Sequence, residues 1–144
     1  HLFATRYRID LFMQQQLEAR TCDTCGKDHL LGDAPADLGA MHPEIHWNEA
    51  DGFPLYDGTF VGPQAVVDGV FMRLREIGDN FAAVPAEIVA DGDTVAVLGD
   101  YTWNHPTSGD PAEVKMVHVW TVTDGLLTAF QQHTDTARVR DLIA

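Results

Sequence analysis

The sequence predicts a single α+β domain in which helical segments precede a long antiparallel sheet. The chain has 144 residues, of which 45% are hydrophobic and 22% charged, as is ordinary for one globular domain. Before residue 80, several segments carry apolar residues at helical spacing, whereas the part from Phe81 onwards consists of alternating segments divided by short turns. Helices followed by successive strands are typical of the α+β class.

The N-terminal part predicts helices around an irregular segment. Residues 6–20 are rich in helix formers with apolar residues at helical spacing. Residues 21–31 mix Cys, Gly, Asp and His without a period, which predicts a loop or a frayed extension. Asp33 and Pro35 are typical of a helix start, and we expect Pro43 to end that short helix.

The middle of the chain predicts a strand, a hairpin and a helix. Residues 45–49 alternate as a strand does, and Asp57-Gly58 lies between short apolar arms within residues 53–61, which predicts a tight hairpin. The next helix opens at Pro63. Its apolar stripe consists of Val67, Val70, Phe71, Leu74 and Ile77.

The last part predicts an antiparallel meander, because its strands follow one another through short turns. The predicted strands are residues 81–90, 94–105, 113–122 and 126–134. We expect residues 136–144 to form a short helical or irregular tail.

The charge of the chain excludes two classes of partner. Twenty-two acidic residues against nine basic ones give a net charge of −13, and a phosphate backbone is bound by clustered Lys and Arg. No apolar run reaches the length of about 18 residues that a transmembrane helix needs. We therefore expect neither nucleic acid nor a membrane as partner.

The cysteines do not indicate a metal centre or a cofactor. Cys22 and Cys25 form a single C-x-x-C, whereas a structural zinc site shows two spaced ligand pairs. His29, His42 and His46 follow, but a proline separates the last two and removes their helical spacing. We expect no metal, no cofactor and ordinary thiols, with zinc binding and redox chemistry as the alternatives. The cytoplasm is the expected location.

The final hairpin predicts which side chains share one face of the sheet. If Asp124-Gly125 is a two-residue turn, Thr123 pairs with Leu126 and the register of both strands follows. The residues then paired on one face are Trp120 with Ala129, His118 with Gln131, Met116 with His133, and Val114 with Asp135. A covered face with this many polar side chains favours a ligand pocket. The alternative is that they are edge residues with satisfied hydrogen bonds.

The other face of the same hairpin predicts a homodimer. Val117, Val119 and Phe130 fall on this second face, and one layer of helices cannot cover both faces. A twofold interface between the convex outer faces of two sheets would bury these residues.

Three stretches of the chain carry a family pattern: MHPEIHWNEADGFPLYDGTFVGP, VADGDTVAVLGDYTW and VHVWTVTDGLLTAFQQHTDTARV. Their order and spacing resemble the SnoaL-like branch of the nuclear-transport-factor-2-like superfamily, which includes ketosteroid-isomerase-like proteins and polyketide cyclases. The resemblance covers residues 33–140. It implies a cone, in which a strongly bent antiparallel sheet wraps around N-terminal helices and leaves a pocket. We expect residues 33–144 to form this core and residues 1–32 to add a helix and an irregular segment to the same domain.

The chain departs from the family pattern at two points. Residues 22–31 stand where the first helix of the family normally runs directly into the second. The chain also lacks a convincing counterpart to the tyrosine and second acidic donor of the steroid isomerases, so steroid isomerisation is not implied.

The resemblance implies a set of site residues. Asp135, the acidic residue of the TDTA ending, is the expected general base, with His133 and His118 orienting it or binding a polar substrate group. The alternative is that Asp135 caps the C-terminal tail. The expected substrate-binding residues are Trp47, Glu49, Phe71, Tyr101, Trp103, Met116, Trp120 and Gln131. The alternative for the aromatic members is that they fill the cone.

Three functions fit the sequence. The first is a cofactor-free acid–base enzyme (isomerase, cyclase, hydrolase or dehydratase) that acts on an apolar, polyketide- or terpenoid-like substrate. The second is a non-catalytic binding protein for a small hydrophobic ligand, and the third is a protein-interaction module. A buried Asp135 beside His133 would favour the enzyme, and an Asp135 turned into solvent the binder.

Overall fold

The computed structural model describes the backbone of residues 19–21 and 28–30, and both backbone and side chains of residues 40–55 and 58–144. Cys22, Cys25 and the helix start at Asp33 lie outside the described residues, as does most of the helix predicted over residues 6–20.

A small hairpin is present where a helix end and a loop were predicted. Strand β1 (Ala19–Thr21) pairs antiparallel with β2 (Asp28–Leu30). The prediction of helix to residue 20 and of irregular chain at residues 28–30 is therefore wrong. Pairing satisfies backbone groups that an irregular segment would leave to water.

Six strands form the main sheet, in the order β4-β3-β8-β7-β6-β5. They are β3 (Met41–Glu49), β4 (Gly58–Val61), β5 (Asp79–Asp91), β6 (Thr94–Asn104), β7 (Pro111–Thr123) and β8 (Leu126–Thr134). Strands β5 to β8 form the predicted antiparallel meander. The one parallel pair of this sheet joins β3 to β8 and places Trp47 beside Phe130. The α+β class predicted from the sequence is confirmed.

The first hairpin of this sheet differs from the prediction. Gly58 begins β4 and pairs with Glu49 of β3, so the partner strand of β4 ends at Glu49, whereas a two-residue turn at Asp57-Gly58 would pair β4 with residues 53–56. The predicted first arm of the hairpin is not a strand, because Phe53 is buried in the core and its backbone N–H donates to the carbonyl of Ala50.

The helix predicted from Pro63 is divided into two. Helix α1 (Pro63–Gly69) ends where Val70 leaves helical geometry, and a 3₁₀ helix (Phe71–Glu76) follows. A Cβ atom at Gly69 would collide with the ring of Phe60, so this glycine permits close packing of helix on strand. Helix α2 (Thr136–Ile143) closes the chain. None of the helices in the described ranges combines the length and apolar character that a membrane crossing requires.

A β-bulge sets the register between β7 and β8. Val122 pairs with Leu127, but Thr121 pairs with Ala129, so Thr128 is an extra residue in the ladder. Its hydroxyl donates to the carbonyl of Thr121. Beyond this point, every residue of β8 lies on the face opposite to the one predicted from the turn.

The bulge brings Phe130 into the core. Trp120 pairs with Phe130 instead of Ala129, and their ring centroids are 4.7 Å apart. The ring of Trp47 stacks on Phe130 at 3.8 Å. The prediction that Phe130 lies on the outer face with Val117 and Val119 is therefore wrong.

A second bulge bends the sheet around this core. Pro85 pairs with Gly99 and Glu87 with Leu98, which leaves Ala86 as the extra residue of β5. A Cβ atom at Gly99 would collide with the carbonyl oxygen of Val84, so the two backbones approach more closely than any other residue would allow. Bulges bend the strand that carries them, and this bend helps to give the sheet its concave face.

Two single-residue deletions in β8 test the register. Deleting Thr128 removes the bulge and leaves all later residues on their present faces. Deleting Gln131 instead turns Gln132 outward and leaves its buried hydrogen-bond partners unpaired. We expect the second deletion to reduce the free energy of unfolding by about 2 kcal/mol more than the first, as measured by urea denaturation. Equal losses for both deletions would contradict the proposed role of the bulge.

Candidate functional site

A small cavity lies between the concave face of the sheet and the 3₁₀ helix. Its volume is about 30 Å³, which is room for roughly two water molecules. Among the described residues, its lining consists of Trp47, Glu49, Phe53, Val70, Phe71, Leu74, Phe81, Ala83, Tyr101, His118, Phe130 and Gln132. The wall is therefore apolar and aromatic with a few polar groups, as is typical of a small-molecule site.

The end of β3 places Glu49 in this wall. Alternation along the strand turns Ile45, Trp47 and Glu49 inward, and Glu49 is only 4% exposed. The indole N–H of Trp47 donates to Oε1 of Glu49 at 2.5 Å, while Oε2 is buried without a partner among the described residues. Burial raises the pKa of Glu49 to about 7, although the Trp47 hydrogen bond acts in the opposite direction.

A chain of hydrogen bonds runs along the cavity wall from the end of β3 to β7. The backbone N–H of Ala50 donates to Oε1 of Gln132 at 3.0 Å, and Nε2 of Gln132 donates to the hydroxyl of Tyr101 at 2.9 Å. That hydroxyl lies 2.5 Å from Nε2 of His118. The network therefore joins three strands and the end of a fourth through side chains that point into the core.

The ionisable members of this network are held neutral. Burial lowers the pKa of His118 to about 3, so the imidazole carries no charge near neutral pH. Burial, followed by the nearby charge of Glu49, raises the pKa of Tyr101 well above its usual value. Glu49 is thus the member of the site that can exchange a proton near pH 7.

The structure brings some of the residues predicted from the sequence together and separates others. Five of them line the cavity: Trp47, Glu49, Phe71, Tyr101 and His118. Three others are buried in the core but are not among the lining residues: Trp103, Met116 and Trp120. The remaining three, Gln131, His133 and Asp135, do not line the cavity, although Gln131 and His133 border a separate open groove of about 420 Å³ that Glu49 and Gln132 also border.

Asp135 is the N-cap of helix α2. Its Oδ1 accepts a hydrogen bond from the backbone N–H of Arg138 at 3.0 Å, and the residue is exposed. The prediction that Asp135 lies on the pocket face is therefore wrong, and the alternative in which it caps the tail is confirmed. Asp is among the preferred N-cap residues because its side chain satisfies a free N–H group of the first turn.

His133 and Gln131 lie on the outer face of β8. His133 pairs with Val117 and is exposed, and Gln131 pairs with Val119. Their predicted places on the inner face are wrong because the Thr128 bulge shifts the register by one residue. Gln132 and Phe130, which the predicted register places on the other face, line the cavity instead.

A signal for this shift was present in the sequence. Leu127 and Phe130 are both large and apolar, and both are buried in the core. A regular strand cannot place residues three positions apart on one face. This spacing therefore indicated a bulge between them, which the two-residue turn alone did not reveal.

Comparisons with known proteins show what the chain resembles. The sequence model described as the SnoaL-like domain matches residues 32–130. A comparison with curated proteins gives no significant match. A nuclear-transport-factor-2-like (NTF2-like) protein from Burkholderia thailandensis is 33% identical over 78% of this chain and 85% of its own, with a TM-score of 0.70.

Two further solved structures share the fold. An NTF2-like protein from Burkholderia xenovorans is 20% identical, covers 98% of this chain and 96% of its own, and has a TM-score of 0.75. TerC, which was co-crystallised with polyporic acid, is 24% identical, covers 94% and 97% of the two chains, and has a TM-score of 0.70. These similarities confirm the α+β cone predicted from the sequence.

The buried carboxyl group predicts a characteristic pH dependence of stability. In the unfolded chain the pKa of Glu49 returns to 4.5 from about 7, so the native state binds the proton more tightly. The contribution of Glu49 to the free energy of unfolding is fully present below pH 4.5 and is lost as the pH rises through about 7. Because Glu49→Gln removes the titration, we expect the variant to gain roughly 3 kcal/mol relative to wild type across this range.

Urea denaturation of both proteins at about pH 5 and about pH 8 measures this gain. The contribution of His118 to stability changes with pH in the opposite direction. Its pKa falls from 6.5 to about 3 on folding, so this contribution is lost as the pH falls. This contribution is common to both proteins and cancels in their difference. A difference between the two proteins that stays constant with pH would contradict the assignment.

Proposed function

The chain belongs to the SnoaL-like family of the nuclear-transport-factor-2-like superfamily, and we propose that it is a cofactor-free acid–base enzyme acting on a small molecule. The proposed reaction moves a proton at a carbon or oxygen of an apolar substrate, as an isomerase, cyclase, hydrolase or dehydratase does. The proposed proton-transferring group is Glu49. This assignment replaces the expected role of Asp135, which is exposed and caps a helix.

One observation carries the proposal. Within residues 40–55 and 58–144, the buried polar or charged residues are Glu49, His118 and Gln132, and all three line the same cavity. Folding does not require polar groups there, because burying such groups costs free energy unless they are fully paired. A general base must have a pKa close to the working pH, and burial gives the carboxyl of Glu49 a pKa of about 7.

The small size of the cavity limits the substrate. A volume of about 30 Å³ admits only a compact group, so we propose that one small end of a substrate, such as a carbonyl group, reaches Glu49. The co-crystal of TerC with polyporic acid supports an organic molecule as the occupant of such a fold.

A second candidate function is non-catalytic binding of a small hydrophobic ligand. The exposed position of Asp135 favours this alternative over the catalytic arrangement expected from the sequence. The same cavity would serve both functions, and the two differ in whether Glu49 transfers a proton to or from the occupant.

We also propose a homodimer formed through the outer face of the sheet. Val84, Val89 and Leu98 project from this face of β5 and β6 and are 48%, 49% and 37% exposed. Val117 and Val119 of β7 lie half-buried on the same face. Exposed apolar residues gathered on one face are typical of an interface, and a twofold contact would bury them on both chains.

The catalytic proposal predicts a large loss of activity for Glu49→Gln. The substitution keeps an oxygen for the Trp47 hydrogen bond but removes the base, so kcat/KM should fall by roughly 10²–10⁴-fold while ligand affinity changes little. The assay follows, by NMR, the incorporation of solvent deuterium next to the carbonyl group of small ketones such as acetone. In the wild type, kcat/KM should rise with pH through about 7.

Asp135→Asn is the matched control for this experiment. Asparagine is also a good N-cap, so the variant should fold normally and exchange deuterium at the wild-type rate. A Glu49→Gln protein that retains the wild-type rate would contradict the catalytic role of Glu49. Binding without exchange in the wild type would favour the second candidate function.

The dimer predicts a particle of twice the 15.9 kDa chain in sedimentation or light scattering at micromolar concentration. Leu98→Lys places a charge on the proposed interface, so this variant should be monomeric. Met72→Lys is the control, because Met72 is exposed to a similar extent, 40%, but belongs to the 3₁₀ helix. A wild-type protein with the mass of one chain would contradict the dimer.

A further inference from the structure

We infer that His118 presents a fixed Nδ1–H donor in the cavity wall, so that the site recognises a neutral ligand through an acceptor oxygen such as that of a ketone. This inference rests on the proposed function, because it names the ligand class of the same cavity. The hydrogen bonds that fix this tautomer begin at a backbone N–H group, which can only donate.

The orientation of the Gln132 amide is determined by Ala50. A backbone N–H can only donate, so the atom of Gln132 that lies 3.0 Å from the Ala50 nitrogen must be the oxygen Oε1. The amide nitrogen Nε2 then faces the Tyr101 hydroxyl at 2.9 Å and donates to it.

The direction of the Tyr101 hydroxyl determines which ring nitrogen of His118 carries the hydrogen. The Tyr101 oxygen accepts from Gln132, so its own hydrogen is available for a different partner. Nε2 of His118, at 2.5 Å, is the acceptor within reach. This nitrogen therefore carries no hydrogen, and the neutral imidazole carries its hydrogen on Nδ1.

The resulting Nδ1–H group needs a partner. Nδ1 of His118 and Oε2 of Glu49 are both buried and have no hydrogen-bond partner among the described residues, and both residues line the cavity. A buried polar group without a partner costs about 1–3 kcal/mol, which a ligand that satisfies it would recover.

These two groups together define the ligand. An acceptor oxygen fits the Nδ1–H donor, and an adjacent C–H or O–H group fits the carboxyl of Glu49. An anion would meet Glu49 without any Lys or Arg among the described lining residues, and a cation could not accept from Nδ1–H. A ketone oxygen accepts from Nδ1–H and, while Glu49 is protonated, from its carboxyl as well, so it satisfies both groups without a charge.

Nitrogen-15 NMR of the histidine ring tests the first half of the inference. In the wild type we expect the His118 signals of an Nδ1–H tautomer, in which Nε2 is the unprotonated nitrogen. An Nε2–H tautomer in the ligand-free protein would overturn the inference directly.

Substitutions in the hydrogen-bond chain test whether Gln132 and Tyr101 are positioning residues. With Gln132→Glu, the Tyr101 hydroxyl donates to the introduced carboxylate, so the His118 signals should change to those of the Nε2–H tautomer. Gln131→Glu makes the same chemical change on the outer face and should leave the tautomer unchanged. If Gln132→Glu does not fold, Tyr101→Phe supplies the test, because it removes the donor and should reduce the Nδ1–H fraction. A wild-type tautomer in every variant that folds would overturn the relay.

Acetone titration tests the ligand class. We expect a saturable shift of the His118 Nδ1–H proton with acetone and a smaller shift with 2-methylpropene, a hydrocarbon of the same shape. No saturable shift with acetone, or equal shifts with both probes, would overturn the assignment. A failure of the proposed catalysis is distinguishable, because Glu49→Gln would then exchange deuterium at the wild-type rate while the His118 tautomer stayed as inferred.

Discussion

The register between β7 and β8 is the constraint on which the interior of this protein depends. One extra residue, Thr128, separates the part of β8 that follows the turn from the part that lines the core. Because side chains alternate along a strand, this residue places Phe130 against Trp47 and Trp120. It also turns Gln132 toward Tyr101. A regular hairpin would have placed both on the outer face.

The same register links the core to the candidate site. Gln132 accepts from the backbone at the end of β3 and donates to Tyr101 of β6, so it connects strands that are not neighbours in the sheet. Glu49 lies directly before the backbone group that Gln132 holds, and its carboxyl is fixed by Trp47. The position of the titratable group thus follows from packing and hydrogen bonding that begin at the bulge, because each contact fixes the next strand.

Most of the fold could be predicted from the sequence, but the site could be predicted only in part. Apolar alternation and short turns identified the meander of β5 to β8, since these are local patterns. Alternation within one strand also placed Trp47 and Glu49 on the same face, as observed. Asp135 and His133 were misplaced because their faces depended on counting from a turn across a bulge. The parallel pairing of β3 with β8 joins distant segments, and no local pattern in the sequence specifies it.

The buried ionisable groups of the site reduce the stability of the fold, and this loss of stability points to a functional role. The free energy of unfolding would rise if Glu49 were replaced by a neutral side chain, because its burial raises its pKa to about 7 and disfavours the charged form. His118 lowers the free energy of unfolding at acidic pH, since burial reduces its pKa to about 3 and disfavours the charged imidazolium. Groups that weaken the fold in this way are typical of functional sites, where stability is given up for chemistry. The apolar wall around them lowers the local dielectric constant and so strengthens each polar contact. The proposed occupant, a small uncharged molecule, would satisfy both groups without bringing another buried charge.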